Sequence, residues 1–265
     1  MQEINAKYNL KSLLENYRVV IPLIQRDYAQ GRKDKRTTEV RKKLLQDINT
    51  ALLDANVGSL DLNFIYGKST NGKFIPLDGQ QRLTTLFLVY LFAYRDNDEC
   101  DFLGNFAYET RKSSTQFFKS LFENRKNIFI ETKSPSEIIT DEPWFADSWQ
   151  LDPTVQGALK TLDDISDSFD YGFDYVSVLS DSNNQKLVFN FLDIDKLGSE
   201  DELYIKLNSR GRPLTDFENF KARFIDRIKK IDSHLEREFS QNIDTKWTDV
   251  IWNIDKNAFD TNFLN

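Results

Sequence analysis

Histidine and cysteine are nearly absent from this chain of 265 residues, which holds only His234 and Cys100. With one cysteine no internal disulfide can close, which fits a reducing compartment. With one histidine, neither a two-histidine zinc site nor a histidine-rich nuclease centre can be assembled from this chain alone. Long apolar runs are missing too. No stretch approaches the roughly 20 residues of a membrane span, and the start Met1-Gln2-Glu3-Ile4-Asn5 lacks the basic-then-apolar pattern of a signal peptide. The expectation is a cytoplasmic protein with no membrane partner.

A general excess of positive charge is also lacking. The net charge is −7, which argues against a surface built throughout to neutralise nucleic-acid phosphates. Between Gly31 and Lys43, however, seven bases (Arg32, Lys33, Lys35, Arg36, Arg41, Lys42 and Lys43) face two acids (Asp34 and Glu39). That segment carries +5 and the remainder −12. Such runs are usually solvated faces. The nucleic-acid alternative makes Arg32, Lys33, Lys35 and Arg36 candidate DNA-binding residues, giving weak contact that depends on salt and not on sequence.

What is present is organised around Phe74-Ile75-Pro76-Leu77-Asp78-Gly79-Gln80-Gln81-Arg82-Leu83-Thr84-Thr85-Leu86, where polar side chains sit between two apolar runs. An Asn71-Gly72 turn predicts a hairpin joining a strand over Leu62 to Tyr66 to one over Phe74 to Leu77. From Leu83 onward the residues are apolar nearly all round a helical wheel. This predicts a buried helix with Asp78 as its N-cap and Gln81 completing a capping box. Unpaired N–H groups and the helix dipole attract an anion at such an end, and Arg82 adds a planar cationic fork suited to phosphate. Gln80 and Gln81 can donate and accept. Asp78 is the candidate metal ligand, since Mg²⁺ is usually held by one or two carboxylates together with substrate phosphates. Asp78, Gln80, Gln81 and Arg82 together make a candidate nucleotide-phosphate site, the candidate catalytic set if the nucleotide is hydrolysed. A purely structural account stays open, in which Asp78 caps, Arg82 pairs with an acid and the glutamines are surface.

In chain order, Asn9 to Tyr17 predicts a short helix and Arg18 to Pro22 a strand whose exit carries Gln25 and Arg26, placed to reach the same phosphates as Arg82. Thr38 is the expected cap of a helix with Val40, Leu44, Ile48 and Leu52 at four-residue spacing. Gly67-Lys68-Ser69-Thr70 copies the end of a Walker A motif but lacks the earlier glycine, since position 62 is Leu62, and a hairpin follows instead of a helix. It reads as a hairpin tip. Helices are expected from Thr115 to Ile130, from Pro135 to near Trp149 and from Pro153 to Phe169, with Trp144, Phe145 and Trp149 as core. Leu187 to Leu192 reads as a strand returning to the first sheet. Further on, Gly211 should stop a helix over Glu200 to Asn208, and a Thr215/Glu218 capping box should open the next. Asn208, Arg210 and Arg212 then lie on a loop beside that helix's amino end, as further candidate nucleotide-binding residues.

Three blocks resemble the N-terminal domain of GmrSD-type restriction endonucleases, a prokaryotic family. Asp78-Gly79-Gln80-Gln81-Arg82-Leu83-Thr84-Thr85 is similar to its hallmark, and Ile21-Pro22-Leu23-Ile24-Gln25-Arg26-Asp27-Tyr28 to its Pro-x-x-Gln-Arg-x-Tyr box. Leu203 to Thr215 resembles its third box, ending in Leu-Asn-x-x-Gly-x-x-Leu-Thr. The first box departs where the family often has Tyr and Trp, at Ile24 and Gln30. Arg111 falls at a recurrent arginine position, with no role attached. The resemblance implies an α+β protein with a small ParB/sulfiredoxin-like mixed sheet, packed helices and a helical lobe. Its expected parts are residues 1–100, a lobe over 101–180, and residues 181–265 completing the first domain and continuing into a C-terminal nuclease part or partner. It further implies hydrolysis of a nucleoside triphosphate with Mg²⁺, coupled to phage defence against foreign or modified DNA. A non-enzymatic nucleic-acid reader and direct phosphodiester cleavage stay open as alternatives.

Overall fold

The computed structural model describes residues 7–22, 28, 31, 34–109, 111–194 and 228. The chain divides into two compact units, Met1–Lys196 and Leu197–Asn265, and every element below belongs to the first. The elements run β1 (Lys7–Tyr8), α1 (Leu10–Asn16), β2 (Arg18–Ile21), α2 (Lys35–Leu53), β3 (Leu60–Thr70), β4 (Lys73–Asp78), α3 (Gln80–Ala93), β5 (Phe106–Tyr108), α4 (Lys112–Glu123), α5 (Pro135–Asp141), α6 (Pro153–Ser168), α7 (Tyr175–Ser180) and β6 (Leu187–Asp193). This is an α+β fold, and its mixed sheet has the order β1-β6-β3-β4-β2-β5.

The hairpin predicted from Asn71-Gly72 joins β3 to β4. Both turn residues take positive φ, 51° and 74°, as a turn matching the strands' own twist requires. Gly67 to Thr70 lie within β3, just before the tip. There Ser69 donates its backbone N–H to Asp193 Oδ1 at 3.2 Å and its hydroxyl to the other carboxylate oxygen, so the Walker-like stretch ties β3 to β6. β6 runs parallel to β3 and antiparallel to β1, confirming its return to the sheet. On the other side of the hairpin, β4, β2 and β5 are parallel neighbours.

α3 is the central element, and Leu83 through Ala93 are buried without exception. It is apolar on every side because it is covered on every side. Phe87 stacks on Phe106 of β5 at 4.5 Å between ring centroids, while Phe92 meets Phe129, Phe169, Tyr171 and Tyr175 edge-on. Each such buried aromatic stabilises the fold by roughly 1.5–3 kcal/mol. One continuous core joins α1, the sheet, α3 and helices α4 to α6, with Phe145 and Trp149 inside it and Trp144 packed against it.

Local boundaries differ from expectation where a competing cap wins. α2 begins at Lys35 instead of after Thr38, because Asp34 accepts the Thr37 N–H at 2.9 Å and caps it. The helix expected over Thr115 to Ile130 is α4 followed by a short 3-10 turn, Arg125–Asn127. Pro153 opens α6 with Asp152 as its cap.

Candidate functional site

Asp78 ends β4 and does not cap α3. Gly79 holds the N-cap position in the left-handed conformation, φ 89°, with no side-chain cap, so the expected Asp78–Gln81 capping box is absent. Glycine is required here twice over. Its φ is unfavourable for L-residues, and an added Cβ would stand 2.8 Å from Ile65 Cγ1. This sharp strand-to-helix corner frees the Asp78 carboxylate to turn to Arg82, which donates Nη2 to Asp78 Oδ2 at 3.1 Å. Arg82 Nη1 also donates to the Leu62 carbonyl. That carbonyl lies at a break in the β3–β6 register, where Asn63 takes φ 63° and its N–H turns to Asp61 Oδ1 at 2.8 Å. Arg82 is thus fixed in place, half-buried, between the β3 bulge and Asp78.

The motif continues into hydroxyl contacts that periodicity could not locate. Thr84 and Thr85 are fully buried. Each donates back to the carbonyl four residues earlier, on Gln80 and Gln81, at 2.8 and 3.0 Å. Each also meets a tyrosine hydroxyl at 2.7 Å, Tyr108 of β5 for Thr84 and Tyr28 for Thr85. Tyr28 accepts in addition from Thr161 of α6 at 3.2 Å, and its burial raises the phenol pKa despite the Thr161 and Thr85 hydrogen bonds. The available signal was a Thr-Thr pair inside an otherwise apolar helix, since buried hydroxyls need partners. At the first helical residue, Gln80 Oε1 is shielded from solvent and has no hydrogen-bond partner among the described residues.

Asp78, Gln80, Gln81 and Arg82 therefore stand together at one corner, at the carboxyl end of β4. Gln25, Arg26, Arg32, Lys33, Asn208, Arg210 and Arg212 lie outside the described residues, as do the helices expected around Gly211 and Thr215. Lys35 and Arg36 are exposed in the first turn of α2. Arg41, from the same basic run, does not join them. It is fully buried and pairs with Asp164 of α6 at 2.6 Å. Among the described residues no three His, Cys, Asp or Glu side chains gather to hold a metal, and no helix is long and apolar enough to cross a membrane. Surface hollows of 410 and 450 Å³ occur away from this corner, beside Arg95 and Tyr175 and beside Glu131 and Tyr171.

A family model described as GmrSD restriction endonuclease, N-terminal domain, matches residues 10–225. The chain belongs to that family. The match takes in all three blocks of the GmrSD pattern, Ile21 to Tyr28, Asp78 to Thr85 and Leu203 to Thr215, and the described GmrSD fold from α1 to β6 lies within it. No curated protein matches the chain. As a GmrSD N-terminal domain, the protein is part of a restriction endonuclease system directed at DNA.

Proposed function

We propose that this domain binds and hydrolyses a nucleoside triphosphate and so drives or regulates a phage-defence restriction enzyme acting on foreign or modified DNA. The observation that carries the reading is the corner at the carboxyl end of β4. There Asp78, Gln80, Gln81 and Arg82 meet the amino end of a buried helix. Parallel strands open their ligand sites at that end, and a helix amino terminus beside a fixed arginine is suited to phosphate.

In this reading Arg82, held by the Leu62 carbonyl and Asp78, stabilises charge that grows on the phosphates in the transition state. Gln80 and Gln81 orient the nucleotide or the attacking water. A divalent cation such as Mg²⁺ fits within limits. Asp78 is a half-exposed carboxylate already shared with Arg82, and among the described residues no cluster of three ligand side chains surrounds it, so phosphates and water would supply further ligands. When bound, the ion neutralises phosphate charge. The family boxes make Gln25, Arg26, Asn208, Arg210 and Arg212 further proposed nucleotide-binding residues, and the ParB/sulfiredoxin-like fold is what the family resemblance implies. DNA is met weakly through Arg32, Lys33, Lys35 and Arg36 or through a further nuclease part, in the cytoplasm.

Calorimetry with each of the four ribonucleoside triphosphates and Mg²⁺ tests the reading. Heat is expected with at least one, and Arg82→Ala should reduce turnover about 10²-fold. Because Arg82 also anchors the β3 bulge, folded fraction and turnover are measured on one preparation, and the loss must exceed the loss of folded protein. A folded sample that gives no heat with any of the four refutes hydrolysis and leaves a nucleic-acid reader as the better account.

A further inference from the structure

The tip of the β3–β4 hairpin carries positive charge that the sheet leaves without a counterpart. β4 pairs with β3 and β2 in a register that sets Thr70, Lys73 and Arg18 side by side across three adjacent strands, with Lys68 opposite Ile75 one row on. Side chains alternate along a strand, so Arg18, Lys68 and Lys73 share one face of the sheet. Val19, Ser69 and Phe74 take the other face, where Val19 and Phe74 join the core. Lys73 and Arg18 stand one strand spacing apart, roughly 5 Å between Cα atoms, and Lys68 is the diagonal neighbour of Lys73 at roughly 7–8 Å. All three side chains are exposed.

Like charges on neighbouring strand positions destabilise a sheet, and separations inside one Debye length leave the repulsion largely unscreened. Acids beside the bases would offset it, but among the described residues Arg18, Lys68 and Lys73 have none as partners. The acids of the same sheet are engaged elsewhere. Asp61 pairs with Lys7 at 3.6 Å, Asp78 with Arg82 at 3.1 Å, and Asp193 holds Ser69 from the other face. Arg41 and Lys43 of the basic run differ, since each has an aspartate, at 2.6 and 2.7 Å. In a chain of net charge −7, a cluster that repels itself and is left open to solvent suits a polyanion from outside.

The patch is also held flat. Arg18 N–H donates to the Gly72 carbonyl at 2.8 Å, and Ser69 N–H to Asp193 Oδ1 at 3.2 Å, so the tip is fastened to β2 on one side and to β6 on the other. A tip fastened on both sides does not stand out as a ribbon that enters a major groove. It presents a surface for backbone phosphates, contacts that position a protein without reading sequence. The nucleotide corner is at the far end of β4, where Asp78 lies roughly 17 Å along the strand from Lys73.

We propose that Arg18, Lys68 and Lys73 form a contact surface for the phosphate backbone of DNA, in addition to the Arg32 to Arg36 run. This needs no nucleotide hydrolysis; it rests on the reading above only in that the domain itself meets DNA. Lys68, the residue that made the hairpin tip resemble a Walker motif, then serves phosphate from a strand instead of from a phosphate-cradling loop.

The test follows the full chain by fluorescence anisotropy with a labelled short duplex at several salt concentrations. It compares wild type, Arg18→Gln/Lys68→Gln/Lys73→Gln, and the variant with glutamine at Arg32, Lys33, Lys35 and Arg36. The patch variant should lower the log–log salt slope by about 0.9 for each lost phosphate contact, hence about 2.7 for three, and weaken binding roughly 10²-fold at about 0.1 M salt. Its melting temperature should hold or rise, because like charges have been removed. A second measurement uses wild type alone: on lysine acetylation read by mass spectrometry, Lys68 and Lys73 should lose reactivity when duplex is added while Lys119, exposed on α4, keeps it. A wild-type slope in the patch variant, with Lys68 and Lys73 still reactive, overturns the proposal and leaves the Arg32 to Arg36 reading standing. So does a lowered slope that tracks a fall in melting temperature without protection of the two lysines. Loss of salt-sensitive self-association in sedimentation, with the DNA slope intact, assigns the patch to the acidic surface of a second copy and likewise overturns it. Folded wild-type chain that binds no duplex at low salt overturns both this surface and direct DNA contact by the domain.

Discussion

The Arg41–Asp164 pair offers a stability experiment whose outcome depends on an asymmetry in the structure. Arg41 on α2 is 0% exposed and donates Nε to Asp164 Oδ2 at 2.6 Å, while Lys160, one turn earlier on α6 and 35% exposed, reaches Asp164 Oδ1 at 3.1 Å. Removing one member of a buried pair costs roughly 3–5 kcal/mol, because the other charge is left without its partner in low dielectric. Asp164→Asn strips a fully buried guanidinium of its carboxylate and should cost that full range, or roughly 6–20 °C in melting temperature for a unit of this size. Arg41→Met leaves Asp164 with Lys160, so the expected loss is smaller, about 1–3 kcal/mol. The double variant Arg41→Met/Asp164→Leu removes both charges, fills the space with apolar atoms and should lie within about 1 kcal/mol of wild type or above it. Urea unfolding followed by circular dichroism gives all four corners of the cycle. Equal losses in the two single variants would show that Lys160 shares no load. A double variant as unstable as Asp164→Asn would refute the claim that charge burial, and not shape, sets the cost.

Three other outcomes can be measured on the same material. Gly79→Ala should destabilise by roughly 2–4 kcal/mol, combining the left-handed backbone penalty with the close approach of Ile65; a loss under about 1 kcal/mol in urea would mean the corner can open. The Asp152 pKa is depressed in the fold, so its stabilising contribution is complete above the unfolded value of 3.8 and disappears as pH falls through the lower folded value. The stability gap between wild type and Asp152→Asn should therefore narrow below about pH 4, and a gap constant from pH 6 to pH 3 contradicts the assignment. DNA binding by the chain alone should be weak and strongly salt-dependent. Replacing Arg32, Lys33, Lys35 and Arg36 with glutamine should reduce the log–log salt slope by about 0.9 for each phosphate that is no longer neutralised, with nucleotide binding retained. Tight binding that survives high salt, or simultaneous failure to bind DNA and nucleotide, would place the basic segment in the active site.

Periodicity and turn chemistry determined much of this protein. The Asn71-Gly72 hairpin, the all-round apolar α3, the proline-opened α5 and α6 and the returning β6 follow from local rules that depend on a few neighbouring residues. The hallmark block was legible as a polar cluster before a buried helix, and three blocks in order were enough to point to the family. Tertiary structure decided the rest, because those outcomes turn on residues distant in sequence. Asp78 was placed to cap α3, but Ile65 beside Gly79 and the β3 bulge at Leu62 fix a corner in which the carboxylate turns to Arg82 instead. Arg41 counted as one more charge in a basic run until α6 brought Asp164 against it from 123 residues away. Thr84 and Thr85 carry no periodic signal, and only the packing of β5 and Tyr28 shows what their hydroxyls bind. β5 joins the sheet beside β2 because strand order is set by which apolar faces can be covered together, a property of the whole chain that no local window contains.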